Sequence, residues 1–329
     1  MWYTIEGDYM IQRTINTKDC NQRVDKYVRK VLNEAPLSFI YKIFRKKDVK
    51  VNDKRVDIDY ILKENDVIKI YVTDEQLESF NKPKEFDLNT YNLDIIYEDE
   101  NIIIINKPKG LLVHSDDKNN KVTLDKYVIS YLISKGEYDP TIDQGFIPGP
   151  AHRLDRNTSG LIIFGKNLPA LQQLLELFKD KENINKYYYA LVKGNITKGG
   201  VVNAPLLKNE KTGMVQVSTI ANGAKTAISE YSIVKHYDQF TLLEVKLITG
   251  RTHQIRVHMA HIGHPIVGDS KYGDFAINKE FSQDFNYNTQ FLHAYKIQFK
   301  ILNGILSYLS NKEFMCELGN KEKEILAKL

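Results

Sequence analysis

Apolar residues first fall into a regular pattern near residue 24. Val24, Tyr27, Val28, Val31 and Leu32 recur at helical spacing, with Asp25, Lys26, Arg29 and Lys30 off the stripe. Ser38 is placed to cap a second helix, with Ile40, Ile43 and Phe44 inward and Lys42, Arg45, Lys46 and Lys47 outward. Short strand signals follow at Val49–Val51 and Lys54–Val56, around the turn pair Asn52-Asp53, and a longer one at Val67–Val72. Residues 1–11 fit neither period. Residues 76–90, with Lys82-Pro83-Lys84, are polar and aperiodic, which predicts a linker that lets the first unit move relative to the rest.

From residue 91 onward strands dominate. Leu93–Tyr97 and Ile102–Ile105 flank the acidic turn Glu98–Asn101 and predict a hairpin. Leu124–Leu132 reads as a helix and Glu137–Phe146 as a loop. Leu161–Phe164 is a buried strand, and Pro169–Phe178 a packing helix with Leu171, Leu174, Leu175 and Phe178 on one face. Lys186–Gly194 and Phe240–Leu247 are further strands, and Asn222-Gly223 predicts a hairpin joining Val215–Ser218 to Thr226–Tyr231. The expected fold is α+β: a mainly antiparallel mixed-sheet domain over 91–329, preceded by a small α/β domain over 12–75 and the linker 76–90.

Composition narrows the class. A length of 329 residues exceeds what one core usually supports, and 42% hydrophobic with 27% charged residues is globular. Apolar runs fall short of the roughly 18 residues of a membrane span. The N-terminal residues lack a secretory pattern, and Cys20 and Cys316 match no disulfide or metal spacing, so a reduced cytoplasmic setting is expected. Net charge is only +4, yet residues 23–55 hold 11 Lys and Arg against 4 Asp and Glu. That surplus of 7 leaves the remainder at −3, and a concentrated basic region points to a polyanion.

The candidate chemistry lies in His152-Arg153-Leu154-Asp155-Arg156-Asn157-Thr158-Ser159-Gly160, after the Pro148-Gly149-Pro150 loop and before the buried strand. Asp155 stands between two arginines at a strand entrance. Cationic neighbours suit a carboxylate that acts as a nucleophile or base, and equally a salt-bridged surface turn.

This stretch resembles the His-Arg-Leu-Asp-x-x-Thr-Ser-Gly signature of the RluA-type pseudouridine synthases, which isomerise uridine in RNA. Asn106-Lys107-Pro108-Lys109-Gly110, the Lys186-x-Tyr188-x-Ala190 frame, Gly250-Arg251-Thr252-His253-Gln254-Ile255-Arg256, Gly268–Gly273 and Phe291-Leu292-His293-Ala294 extend the resemblance over most of the chain. The arginine usual before the last of these is replaced by Asn288-Thr289-Gln290. The two early helices and Val51-Asn52-Asp53-Lys54-Arg55 resemble the small RNA-binding domain named after ribosomal protein S-four.

The resemblance implies that Asp155 is catalytic, Arg251 its ion-pair partner and Tyr188 the residue packed on the target base. It implies that Arg153 enters the space left by the flipped uridine, while Arg156 contacts phosphate. Arg29, Lys30, Arg45, Lys46, Lys47, Lys54 and Arg55 become the RNA-gripping set. The reaction is a redox-neutral isomerisation, so no cofactor, nucleotide or metal is expected. The implied partner is large-subunit ribosomal RNA or a ribosome-assembly intermediate, and no membrane. Two other classes compete: a metalloenzyme built on His253, His258, His261 and His264, and a non-catalytic RNA chaperone or assembly factor on the same folds.

Overall fold

A computed structural model describes residues 2–5, 8–82, 91–115, 122–180 and 182–329. The N-terminal unit contains β1 (Trp2–Ile5), β2 (Asp8–Thr14), α1 (Val24–Val31), α2 (Leu37–Lys46), β3 (Val49–Val51), β4 (Lys54–Arg55), β5 (Val67–Val72) and α3 (Asp74–Phe80). Its antiparallel sheet runs β1-β2-β5-β3-β4. The α1 stripe of Val24, Tyr27, Val28 and Val31 packs with Ile40 and Ile43 of α2 against Ile68, Ile70 and Val72.

Three expectations change here. The unpatterned N-terminus supplies two strands, because β2 pairs along all of β5 from Tyr9–Val72 to Thr14–Val67. Pro36, not Ser38, occupies the N-cap position of α2, with no side-chain hydrogen bond; Ser38 lies within the first turn. The polar connector opens as α3, which carries a capping box between Thr73 and Gln76, and Leu77 and Phe80 pack on the small core. The rest of the expected linker, 83–90, lies outside the described residues.

The larger unit contains β6 (Ile95–Glu98), β7 (Ile102–Lys107), α4 (Leu124–Ser134), β8 (Gly149–Pro150), β9 (Ser159–Gly165), α5 (Leu168–Asp180) and β10 (Ile184–Lys193). It continues with β11 (Gly200–Asn203), β12 (Leu206–Lys208), β13 (Val215–Val217), β14 (Ile228–His236), β15 (Phe240–Leu247) and α6 (Gln254–His261). It ends with α7 (Phe275–Phe285), β16 (Leu292–Phe299), β17 (Glu313–Met315) and α8 (Asn320–Lys328). A ten-stranded sheet follows the path β11-β14-β15-β10-β16-β9-β7-β6, with β17 on β16 and β8 on β9. All its pairings are antiparallel except β16 with β9, so the α+β architecture is as expected. On α5, Leu174 is buried but Leu175 is exposed, narrowing the packing face. The Asn222-Gly223 turn does not make a hairpin: β13 pairs with β12 in a separate two-stranded sheet, and β14 lies between β11 and β15.

The two units touch. Lys30 Nζ donates to Gly145 O at 2.6 Å, Lys18 Nζ to Glu137 O at 2.7 Å, and Gln22 Nε2 to Gly145 O at 3.1 Å. The Tyr27 ring sits so close to Gly145 that a Cβ there would lie 2.2 Å from it. These contacts join the two units on either side of the polar connector. Among the described residues no helix is long and apolar enough to cross a membrane.

Candidate active site

The Asp155 loop is fixed from below before any partner reaches its carboxylate. Leu154 is buried in the main core, and the Thr158 N–H donates to Asp155 O at 3.1 Å to close the turn into β9. Lys107, at the end of β7, buries its ammonium and donates to Pro108 O, Leu111 O and Arg156 O at 2.8, 2.9 and 3.0 Å. Burial without a carboxylate contact brings its pKa down to about 7, against the opposing pull of Asp155. Lys107 thus ties the Asn-Lys-Pro segment to the Asp155 loop.

The cation at Asp155 is Arg256, on α6. Its Nη1 donates to Asp155 Oδ2 at 2.9 Å, and its Nε and Nη2 grip Asp269 at 2.7 and 2.8 Å. Asp269 is buried and also accepts the Lys271 and Tyr272 N–H groups. Burial alone would raise its pKa; the guanidinium and these backbone donors outweigh that and hold it below the usual carboxylate range. The Tyr272 ring lies 5.2 Å from the Arg256 guanidinium carbon, and its hydroxyl meets His253 Nδ1 at 2.8 Å. His253 Nε2 stands 3.8 Å from Asp155 Oδ2, with its pKa lowered chiefly by burial.

Arg251 is not the ion-pair partner, contrary to the expectation. It is exposed on the rim of the same cleft, five residues before Arg256, and its Nε donates to Thr226 O at 3.0 Å. The change has a local cause. His253 takes φ +54° at the start of α6, so Arg251 stays in the preceding loop while Arg256 lies within the helix and turns inward. Arg256 and Asp269 were missed as site residues, although both stand in segments that carry the family resemblance.

Asp155, Tyr188, Arg153, Arg156 and Arg251 line one cleft of about 890 Å³. The Asp155 side chain is 26% exposed and so available to a ligand. Tyr188 is buried on the cleft wall at 5% exposure, and burial, then Asp155, push its hydroxyl pKa upward, so it is a neutral phenol near neutral pH. Tyr189 stacks on Tyr295 at 3.8 Å and Tyr187 lies under Lys296 at 4.1 Å, both apart from the cleft wall. Arg153 and Arg156 are exposed, and Arg156 Nε donates to Gly110 O at 3.0 Å. His152 packs on Phe178 at 4.4 Å and takes the Ile163 N–H on Nε2, which makes it part of the loop's support. Gln290, in the segment that departs from the family pattern, is buried and donates to Thr158 Oγ1 at 3.3 Å. It holds the Asp155 loop from the β16 side.

In the N-terminal unit, Arg29, Arg45, Lys46, Lys47, Lys54 and Arg55 are exposed. Lys30 is not part of that set. Its ammonium is engaged by Gly145 O and by Gln22 Oε1 at 2.8 Å, inside the contact with the larger unit. The histidines of the rival metal reading are spread apart. His258 is buried between Ser229 Oγ and Ala204 O, and His264 Nδ1 meets Lys193 O. Among the described residues no group of three or more His, Cys, Asp or Glu is placed to hold a metal ion.

An antiparallel-dominated sheet thus carries an arginine-paired carboxylate and a buried tyrosine in one cleft, a site with the parts for carboxylate chemistry on a bound ligand. The comparisons agree: a sequence profile for the RNA pseudouridylate synthase family matches residues 101–261. An RNA pseudouridine synthase of Mycoplasma capricolum, itself described as uncharacterized, is 39% identical over 92% of this chain and 96% of its own. Ribosomal large subunit pseudouridine synthase C of Vibrio cholerae is 37% identical over 84% and 85%, and that of Haemophilus influenzae 34% over 96% and 94%. Human RNA Pseudouridylate Synthase Domain Containing 4 shares the fold, with a TM-score of 0.57 at 22% identity over 71% of this chain and 92% of that one. The chain belongs to the RNA pseudouridine synthase family, which makes it an isomerase acting on uridine in RNA.

Proposed function

We propose that this enzyme converts uridines of large-subunit ribosomal RNA to pseudouridine, acting on free or partly assembled RNA, with Asp155 as the reacting carboxylate. The observation that carries this reading is the Asp155–Arg256–Asp269 chain of contacts opening on the cleft that Tyr188 lines. The substrate is inferred from the Vibrio and Haemophilus relatives, both ribosomal large subunit pseudouridine synthases, and it brings a cytoplasmic setting with it.

Isomerisation breaks the bond between uracil nitrogen 1 and ribose carbon 1′, then rejoins the base through carbon 5. A carboxylate serves this either by adding to carbon 1′ or by taking the proton from carbon 2′. Arg256 balances the charge of Asp155 in either route, and Asp269 keeps the guanidinium from swinging away. Tyr188 offers the detached uracil a flat surface. The target nucleotide must first leave its stack, at a cost of a few kcal/mol. Arg153, exposed beside Asp155, is placed to fill the gap, and Arg156 and Arg251 on the rim to meet phosphates. The N-terminal unit, about 12–75, holds the RNA through Arg29, Arg45, Lys46, Lys47, Lys54 and Arg55. No cofactor, nucleotide or metal enters these steps.

The test is release of tritium from carbon 5 of uridine-labelled large-subunit RNA. Wild type is expected to release it, and Asp155→Ala to bind the RNA without release. Binding with no release by wild type would instead identify a non-catalytic RNA-binding or assembly factor.

A further inference from the structure

Helix α2 turns Ile40 and Ile43 into the small core, and among the described residues its outer positions Leu37, Tyr41, Lys42, Arg45 and Lys46 are exposed. Leu37, Tyr41 and Arg45, spaced by four, share one outer stripe, and Lys42 and Lys46 share the next. Tyr41 is 58% exposed, Leu37 49% and nearby Ile61 49%. Ile61 is bridged through its backbone to Arg23, whose guanidinium is already paired with Asp25, so the cations beside Tyr41 are those of α2 itself. Beside the stripe, Lys42 and Lys46 line a cleft of about 380 Å³ walled by Tyr71 and Thr73, with Asp48 its single carboxylate.

An aromatic ring standing in solvent among cations serves no packing purpose. Lys42, Arg45 and Lys46 interrupt the apolar positions of this face at every turn, and among these outer positions of α2 no carboxylate offsets them. Charge complementarity selects a polyanion, and the ring selects one with an exposed π face. Paired RNA hides its base faces; single strands present them.

We propose that α2 is a platform for unpaired RNA: a splayed base stacks on Tyr41, and the adjoining phosphates lie along Lys42 and Lys46. This rests on reading the N-terminal unit as RNA-binding, and adds that the unit selects loops, bulges or single strands over duplex. The stacked base is one the enzyme does not modify, since the platform lies in a different unit from Asp155.

The test measures affinity of the full chain, by fluorescence anisotropy at fixed salt, for two labelled probes. One is an oligocytidylate dodecamer, which offers the catalytic cleft no uridine; the other is a blunt RNA duplex of matched phosphate number. Tyr41→Ala is expected to weaken dodecamer binding about five- to 150-fold while leaving the duplex within about twofold. Tyr41→Phe should retain dodecamer affinity, and Lys42→Ala should weaken both probes. Unchanged dodecamer binding by Tyr41→Ala, or equal losses on both probes, overturns the platform alone. A wild-type chain with affinity for neither probe overturns the RNA-binding reading of the unit and the platform with it.

Discussion

Arg256 serves two carboxylates at once, and this decides how the catalytic centre responds to mutation. Its Nη1 holds Asp155, whereas its Nε and Nη2 hold the buried Asp269. Removing the guanidinium therefore releases Asp155, the carboxylate proposed to react, and strands an unpaired buried charge on Asp269. Arg256→Ala is expected to lower turnover by about 100-fold or more and to cost about 3–5 kcal/mol of stability. Arg251→Ala leaves the Asp155 pair in place, so its effect should fall mainly on RNA affinity. Single-turnover rates and urea unfolding of both variants check this; inactivity confined to the Arg251 variant would reverse the assignment. Tyr188 follows the same residue-level reasoning: burial, then Asp155, raise its hydroxyl pKa and keep it a neutral phenol near neutral pH.

At the scale of elements, the Asp155 loop depends on the parallel pairing of β9 with β16. Gly160, the second residue of β9, takes φ +112° opposite Ala294 of β16, and a Cβ there would lie 2.2 Å from Ala294 O. Only glycine lets the strands close while Asp155, five residues earlier, points into the cleft. Gly160→Ala is predicted to destabilise the enzyme by about 2–4 kcal/mol through backbone strain and overpacking. Its urea midpoint should fall accordingly, and a wild-type midpoint would show that β9 and β16 tolerate separation. Helix α6 carries Arg256 on a segment buried at every position from Gln254 to Met259. A helix wrapped on all sides shows no apolar stripe, so its periodicity was silent in the sequence.

For the whole molecule, the notable feature is an interface that holds charge. Asp19 is buried between the units near Asp143, with Lys18 and Lys30 opposing, and Tyr27 and Tyr138 beside it. Burial, then Asp143, raise its pKa from 3.8 to about 6. The folded state thus binds more protons than the unfolded chain between these values, so stability falls as pH rises through that window and stays lower above it. Asp19→Asn cannot ionise, and is expected to stabilise the protein by about 1–3 kcal/mol at pH 8. Near pH 4 the difference should shrink to below about 1 kcal/mol, since the folded-state carboxyl is then protonated. Urea titrations at both pH values check the sign; a destabilised variant at pH 8 would mean that the anion is needed for docking.

The sequence by itself determined most local structure: the α1 stripe, the Ile102–Ile105 and Leu161–Phe164 strands and the strand carrying Tyr188 all formed where periodicity placed them. Side-chain period and turn chemistry act within a few residues, and so can be read from them. The motif around Asp155 pointed to the family for a related reason, since its glycine, threonine and carboxylate answer to one tight turn. What only the tertiary structure decided are relations between distant segments. Which arginine of Gly250–Arg256 turns inward depends on where α6 begins. Whether Lys30 meets RNA or Gly145 depends on docking, and β13 left the predicted hairpin because β12 and β15 offered the flanking segments different partners. A side chain's type fixes what it can bond; its neighbours in space fix what it does.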